Sequence, residues 1–284
     1  MTEEQRNLLN TVAADFEILW DGLGKIIPVL NQLISKKELR NLKKKYIAKL
    51  EALFDSGQKQ ITTSCLFDEY ISSCCKGPQS KEFIDEINCI ATTIRKAIDN
   101  ANLRSKKEIQ NNITTIVKEL LITMDKDPSS KNPDYRNRFH ELLVFNMLMD
   151  CDNVEVTNIA YKLDNGKDCD FRCIHKEGTE LLIEVVSIHN IDLNKQDDAL
   201  SFSEFINKKI QNKYNDKTKG LTHIDKFHIL PILEYDERIG DFGPTLNPSI
   251  SLPAYTVTKN ISGERIEPIL IQIEGIQNLF NKEN

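Results

Sequence analysis

The sequence predicts an α/β protein in which an all-α N-terminal domain precedes a core of mixed helices and strands. Two observations support this prediction. Apolar residues recur every three or four positions through residues 3–126, as on one face of amphipathic helices. After residue 150 the pattern changes to short apolar runs separated by turn residues, which is typical of strands. The element order in this second part is predicted to be αββαβ.

The N-terminal part contains several predicted helices. The first has one apolar face, formed by Leu8, Leu9, Val12, Phe16, Leu19, Trp20 and Leu23. A second helical pattern covers Ile26 to Phe54 and breaks at Ser35, which can form a capping box with Glu38. Further helices are predicted around Cys65–Cys75, from Ser80 to Leu103 and from Ser105 to Met124.

A polar segment with two prolines, Pro128 and Pro133, follows these helices. Such a composition is typical of a linker, so we place a domain boundary between residues 127 and 128. The first domain is then 1–127 and the second 128–284. Pro133 suits the first turn of a helix that is predicted to end near Asp150.

The strands of the second part follow this helix. Val154, Val156 and Ile159 are β-like, and the segments 168–176 and 179–188 form a predicted hairpin. The segment 181–186 is almost continuously apolar, which favours a central strand covered on both faces.

The C-terminal third is less regular. A helix is predicted over 198–214 and a strand over Phe227–Glu234, in which Pro231 indicates an edge position or a bulge. Residues 236–264 are rich in glycine and proline and are predicted to be loops. A last strand is predicted at Ile269–Ile273.

Composition and charge exclude some classes of protein. The chain has 284 residues and a net charge of −6, so it is not a basic nucleic-acid coat. Residues 1–127 carry 19 basic and 18 acidic residues, and residues 128–284 carry 18 and 25. Seven cysteines without metal-binding spacing, no signal peptide and no membrane-length apolar run predict a cytoplasmic protein.

Two acids of the predicted hairpin are expected to face each other. Asp170 and Glu184 lie at equal distances along the chain from a turn near Glu177 and Gly178. Residues opposite each other in a hairpin share a face, with Cβ atoms about 5 Å apart. Two carboxylates this close repel unless a divalent cation lies between them, and Mg²⁺ prefers a few carboxylates with water and phosphate oxygens.

These residues, with Glu141 on the preceding helix, resemble the PD-(D/E)xK nuclease superfamily of restriction-endonuclease-like proteins. The matching segments are Cys169-Asp170-Phe171 and Glu184-Val185-Val186, and the resemblance covers about residues 133–235. It implies a mixed sheet flanked by helices, and hydrolysis of nucleic acid, usually DNA, that depends on Mg²⁺ or Mn²⁺. Asp170 and Glu184 would then be metal ligands and Glu141 an auxiliary acid.

The sequence departs from the superfamily at Val186, where the motif has a lysine. In some members a lysine from a neighbouring position takes over, and the predicted helix 198–214 offers Lys208, Lys209 and Lys213. Of these, Lys209 and Lys213 are four residues apart and lie on one face. Gln211 and Tyr214 resemble a shortened form of the Gln-xxx-Tyr element of the exonuclease branch.

Each candidate has an alternative interpretation. Glu141 is compatible with a solvated surface acid, Asp168 competes with Asp170 for the same role, and Glu184 is compatible with a buried salt bridge. At the level of function, the alternative is an inactive nuclease-fold module that binds nucleic acid or a protein.

The remaining expectations concern partners. The resemblance is compatible with an endo- or exonuclease, and a role in restriction or defence against foreign DNA would suit the superfamily. The N-terminal helices are expected to serve recognition, homodimerisation or docking to a partner subunit. A basic stretch that begins at Lys36 is first a solvated helix face and second a contact for nucleic-acid phosphates.

Overall fold

The computed structural model describes residues 1–57, 65–75, 81–104, 106–122, 134–189, 198–234, 244–247, 249–251, 254–261 and 264–272. The chain divides into two compact units, Met1–Arg95 with Thr114–Phe139, and Lys96–Ile113 with His140–Asn284. The predicted boundary between residues 127 and 128 lies outside the described residues. No helix in the described part is long and apolar enough to cross a membrane.

The predicted N-terminal helices are present as α1 (Glu3–Ile26), α2 (Leu30–Leu33), α3 (Lys36–Asp55), α4 (Leu66–Cys75), α5 (Lys81–Leu103) and α6 (Lys107–Leu121). The capping box that the sequence predicts at the start of α3 is confirmed. The Glu38 N–H donates to Ser35 Oγ at 3.3 Å, and the Ser35 N–H donates to Glu38 Oε2 at 2.8 Å. The starts predicted at Ser80 and Ser105, and the end predicted at Met124, lie outside the described residues.

Aromatic side chains form the centre of the first unit. Phe67 of α4 meets Phe16 and Trp20 of α1 with ring centroids 5.3 Å apart, and Tyr46 of α3 at 5.5 Å. All four rings are buried. Buried aromatic pairs of this geometry add to the hydrophobic stabilisation of a core, so these contacts help to hold α1, α3 and α4 together.

The second unit contains a six-stranded mixed sheet, in the spatial order β1-β2-β3-β4-β5-β6. Strands β1, β2 and β3 are antiparallel, β3, β4 and β5 are parallel, and β6 is antiparallel to β5. The elements from residue 134 on are α7 (Asp134–Met149), β1 (Val154–Lys162), β2 (Asp168–His175), β3 (Glu180–Ile188), α8 (Ala199–Thr218), β4 (Phe227–Glu234), β5 (Ala254–Ile261) and β6 (Glu264–Gln272). Residues 134–139 of α7 belong to the first unit. The α/β class is thus confirmed, whereas β5 lies in a segment predicted to be loops.

Pro231 does not place β4 at an edge, so the edge alternative of that prediction was wrong. Strand β4 lies between β3 and β5, and Pro231 is paired in register with Val186. On the other side of β4, the described pairs are Ile229 with Ser251 and then Ile232 with Thr256, so the register shifts between them. Pro231 lies where the register shifts, and a proline is tolerated in an internal strand at such an irregularity.

Helix α8 packs against one face of the sheet. The buried cluster there includes Phe202, Ile206 and Ile210 of α8 together with Leu182, Val186 and Ile188 of β3. Since side chains alternate along a strand, Glu184 lies on this same face. On the other face, Phe145 of α7 stacks on Phe171 of β2 with centroids 6.4 Å apart. The predicted burial of β3 on both faces is therefore confirmed.

Candidate functional site

The site begins where the β2–β3 hairpin stops pairing through its backbone. The paired residues run from Ile174–Glu180 to Phe171–Ile183, and continuing this register would place Asp170 opposite Glu184, as the sequence predicts. At that point the Val185 N–H donates instead to Asp170 Oδ2 at 2.7 Å. The Asp170 side chain therefore takes a hydrogen bond from β3 that a backbone carbonyl of β2 would otherwise accept.

Strand β2 keeps its other neighbour beyond this point, because its pairing with β1 continues to Lys162–Asp168. The turn at the far end of the hairpin fixes the register of β2 and β3. The Gly178 N–H donates to the His175 carbonyl at 2.7 Å, and Gly178 has φ +85°, which a residue with a side chain rarely adopts. The predicted opposition of Asp170 and Glu184 depends on this register.

Glu184 is the most buried acid of the group, with 2% of its surface exposed. Its Oε1 is 2.8 Å from Lys213 Nζ and 2.9 Å from Lys217 Nζ. Its Oε2 is buried and has no hydrogen-bond partner among the described residues. A buried polar atom without a partner costs about 1–3 kcal/mol, so this oxygen is available for a further ligand.

The two lysines differ in their surroundings. The Lys217 side chain is 17% exposed and also donates to the Asp168 carbonyl at 2.5 Å. The Lys213 side chain is 40% exposed. Lys217 is thus held between β2 and β3 by two acceptors, whereas Lys213 retains access to solvent.

The charges of the group influence one another. Burial raises the pKa of Asp170 well above its usual range, and Glu141 and Glu184 raise it further, while the Val185 N–H and Lys217 oppose the shift. Glu141 is a buried residue within α7, so the alternative interpretation of Glu141 as a solvated surface acid is wrong. Three acids therefore lie within electrostatic reach of one another.

Lys213 responds to the same acids. Burial alone lowers its pKa, but Glu184, Asp170 and Glu141 together outweigh this effect, so the pKa of Lys213 is raised. The lysine therefore remains charged beside the acids. This side chain joins the three acids that the sequence predicts as site residues.

Two other predicted site residues make different contacts. The Lys209 ammonium lies 5.3 Å from the centroid of the Phe205 ring, and Gln211 donates to Asn215 at 2.8 Å. Neither pairs with Glu184, whose ion pairs in the described part of the chain are with Lys213 and Lys217. The structure thus brings one of the two candidate lysines to the acids.

Sequence reasoning missed Lys217. The predicted helix ended at residue 214, whereas α8 continues to Thr218. Lys217 lies four residues after Lys213, so the same spacing that singled out Lys209 and Lys213 continues for one more turn. Extending the helical pattern by four residues would have found it.

Asp168, the alternative candidate for the role of Asp170, has its carboxylate in a different ion pair. Its carboxylate pairs with Lys162 of β1 at 2.6 Å, where both side chains are largely exposed. Its contribution to the site is the backbone carbonyl that accepts from Lys217. Among these two residues, Asp170 is the one whose carboxylate joins Glu141 and Glu184.

Two buried histidines lie on the α7 side of the sheet. His140 Nδ1 is 2.7 Å from Ser187 Oγ, and His189 Nδ1 is 2.8 Å from Glu234 Oε1. The two rings stack with centroids 6.3 Å apart. Because His140 precedes Glu141 on α7, these contacts fix the part of the helix that carries Glu141.

The residues present fit a divalent cation in composition. Asp170 and Glu184 are hard oxygen donors, and Glu184 Oε2 is a buried acceptor without a partner. Among the described residues, no group of three or more His, Cys, Asp or Glu is arranged to hold a metal ion. Mg²⁺ sites often use only one or two carboxylates and fill the remaining positions with water and phosphate oxygens, so the two-acid arrangement remains suitable.

In comparisons with known proteins, the chain matches no protein-family model, no curated protein and no solved structure at a significant level. The functional interpretation therefore depends on the geometry of the site.

Proposed function

We propose that this protein is a metal-dependent nuclease that hydrolyses phosphodiester bonds of nucleic acid, with DNA as the expected substrate. The observation that carries the proposal is the state of Glu184, a buried acid with one oxygen held by two lysines and the other without a partner. Acids and lysines on one small surface are the groups that metal-assisted hydrolysis of a phosphodiester requires. The resemblance to PD-(D/E)xK nucleases supports the same reading.

In this proposal Asp170 and Glu184 hold Mg²⁺ or Mn²⁺, and Glu141 is the auxiliary acid. A bound divalent ion polarises a phosphoryl oxygen and lowers the pKa of a water molecule. The chain itself orients the ligands, since the Val185 N–H fixes one oxygen of Asp170 and the two lysines fix one oxygen of Glu184.

The lysines have separate roles in the proposal. Lys213 is the more exposed of the two, so it can turn from Glu184 to a non-bridging oxygen of a substrate phosphate, where an ammonium stabilises developing negative charge. Lys217 remains on Glu184 and the Asp168 carbonyl and keeps the acid in place. Together they replace the motif lysine that is absent at Val186.

The second candidate function is an inactive nuclease-fold module that binds nucleic acid or a protein. The observation in its favour is that Val186 is buried in the hydrophobic cluster, while both site lysines are already paired with Glu184. A purely structural salt bridge would also pair the Glu184 carboxylate with lysines in this way.

The test is cleavage of plasmid, linear duplex DNA, single-stranded DNA and RNA, each with Mg²⁺ or Mn²⁺. Wild type is compared with Glu184→Gln and with Glu180→Gln. Glu180 is a matched control because it lies on the same strand and also bridges two cations, Arg172 at 2.6 Å and Lys226 at 3.0 Å.

Metal-dependent cleavage that is lost in Glu184→Gln and kept in Glu180→Gln would support the nuclease and this assignment. Cleavage retained by Glu184→Gln would refute the assignment. No cleavage by wild type, combined with binding of nucleic acid, would favour the inactive module.

A further inference from the structure

We propose that the first half of α3 is a docking surface for the phosphate backbone of nucleic acid. This surface, the α3 basic face, consists of five cations, Lys36, Lys37, Arg40, Lys43 and Lys44. The inference rests on the proposed function, because it concerns how the same substrate is held. It adds a contact that the acids and lysines of the site do not provide.

The α3 basic face is accessible. Four of its cations are exposed and Lys43 is half-buried. No residue between positions 36 and 45 is buried, whereas Tyr46, Leu50, Leu53 and Phe54 of the second half are. The second half therefore anchors α3 in the first unit, and the first half presents its side chains to solvent.

The five cations have no acidic partner in the described part of the chain. The ion pairs described in the first unit involve other cations, such as Lys49 with Asp68 at 3.1 Å and Arg136 with Glu86 at 3.3 Å. Glu38, the one acid between positions 36 and 45, is engaged in the capping box with Ser35. The positive charge of this face is therefore left for an external anion.

The arrangement is unfavourable for the helix by itself. Lys36, Arg40 and Lys44 are spaced four residues apart, and like charges at this spacing destabilise a helix. Lys36 and Lys37 also lie in the first turn, where the helix dipole disfavours cations. A bound polyanion removes both penalties, which is a physical reason for a chain to carry such a row.

The dimensions suit a nucleic-acid backbone. The row from Lys36 to Lys44 is about 12 Å long at 1.5 Å per residue. Over that length a duplex presents about seven phosphate charges. Three to five cations can therefore contact successive phosphates without any demand on the base sequence.

A membrane surface fits this face less well. Helices that lie on membranes insert an apolar face next to their basic one. The leucine, isoleucine and aromatic residues of α3 are all buried or half-buried, so α3 has no large exposed apolar face to insert. The observations favour nucleic acid over an anionic bilayer.

The test compares wild type with the charge-reversal variant Lys36→Glu, Arg40→Glu and Lys44→Glu in the full chain. A control variant carries Arg6→Glu, Arg95→Glu and Lys107→Glu, which reverse three exposed cations elsewhere and change the net charge equally. Binding of a labelled DNA duplex is measured by fluorescence anisotropy in EDTA at several salt concentrations. Circular dichroism verifies the fold, and a Gln version of the triple variant replaces the Glu version if that one does not fold.

We expect the α3 variant to bind the duplex at least about tenfold more weakly than the control variant at low salt. The slope of log K against log salt concentration should become less negative by about 2.7, which corresponds to three lost phosphate contacts. Unchanged affinity and slope would overturn the inference, even if wild type cleaves DNA and the nuclease proposal stands. If wild type does not bind DNA, the inference about the α3 basic face is overturned too. If wild type in addition does not cleave DNA, the proposed nuclease function is also refuted. Binding to anionic vesicles but not to DNA would identify a membrane surface instead.

Discussion

Substitution of the two lysines beside Glu184 should affect stability unequally and cooperatively. Lys217→Met keeps the aliphatic stem but removes the hydrogen bond to the Asp168 carbonyl and the ion pair to Glu184. Breaking a buried ion pair costs about 3–5 kcal/mol when the remaining charge is left alone. Lys213 still compensates Glu184 here, so the cost reduces to that of a charged hydrogen bond, about 1.5–3 kcal/mol.

Lys213→Met should cost less. Its side chain is 40% exposed, so solvent screens the pair, and we expect at most about 1 kcal/mol. The double substitution leaves Glu184, which is 2% exposed, without any cation. Its cost should therefore exceed the sum of the two single costs, by more than the error of about 0.5 kcal/mol that independent sites show.

Urea unfolding of the two single variants, the double variant and wild type, all in EDTA, measures these free energies as a double-mutant cycle. Lys209→Met is the control, since Lys209 lies one turn away on α8 and makes no ion pair with Glu184 within the described structure. Strict additivity, or a Lys213→Met cost as large as that of Lys217→Met, would refute the assignment of Lys217 as the fixed partner of Glu184.

Three further predictions concern the acids and the missing motif lysine. Asp170→Asn should raise the melting temperature in EDTA at pH 7, because burial raises the pKa of Asp170 and this carboxyl group therefore destabilises the fold at pH values above the ordinary pKa of aspartate. This penalty fades as pH falls towards the ordinary pKa of aspartate, so a variant that melts lower at pH 7 would contradict the shift. Mg²⁺ at 100 times its dissociation constant should stabilise wild type by about 2.7 kcal/mol in a thermal shift assay, and an equal shift in Glu184→Gln would disprove the ligand assignment. Val186→Lys should lower the free energy of unfolding, measured in urea, by about 3 kcal/mol or more, because Val186 is 8% exposed within the hydrophobic cluster. A gain in both stability and cleavage would contradict this and show that the site accepts the motif lysine.

The hairpin was predictable because its determinants are local. The register of β2 and β3 follows from a turn at Gly178 and from the alternation of side chains. The start of α3 was equally predictable, because a capping box needs only Ser35 and Glu38. These features involve residues that are close in the chain.

Other features depend on contacts that no local pattern contains. Pro231 indicates an edge or a bulge, yet β4 lies between β3 and β5, and the register on the β5 side shifts near the proline. Strand β5 was predicted as loop because glycines and prolines are frequent in residues 236–264, and its pairing with β4 and β6 is visible only in the structure. Lys217, by contrast, continues the four-residue spacing of Lys209 and Lys213, and it was missed because the helix was predicted to end at residue 214 rather than at Thr218.

The sequence by itself determined the α/β class, the hairpin and its two opposed acids, because periodicity and turn chemistry are short-range properties. The tertiary structure decided which lysines reach Glu184, that Glu141 is buried, and that Asp170 takes the Val185 N–H where backbone pairing ends. These outcomes depend on how α7 and α8 pack on the sheet. Packing is a sum of many weak long-range contacts, and a single sequence does not reveal that sum.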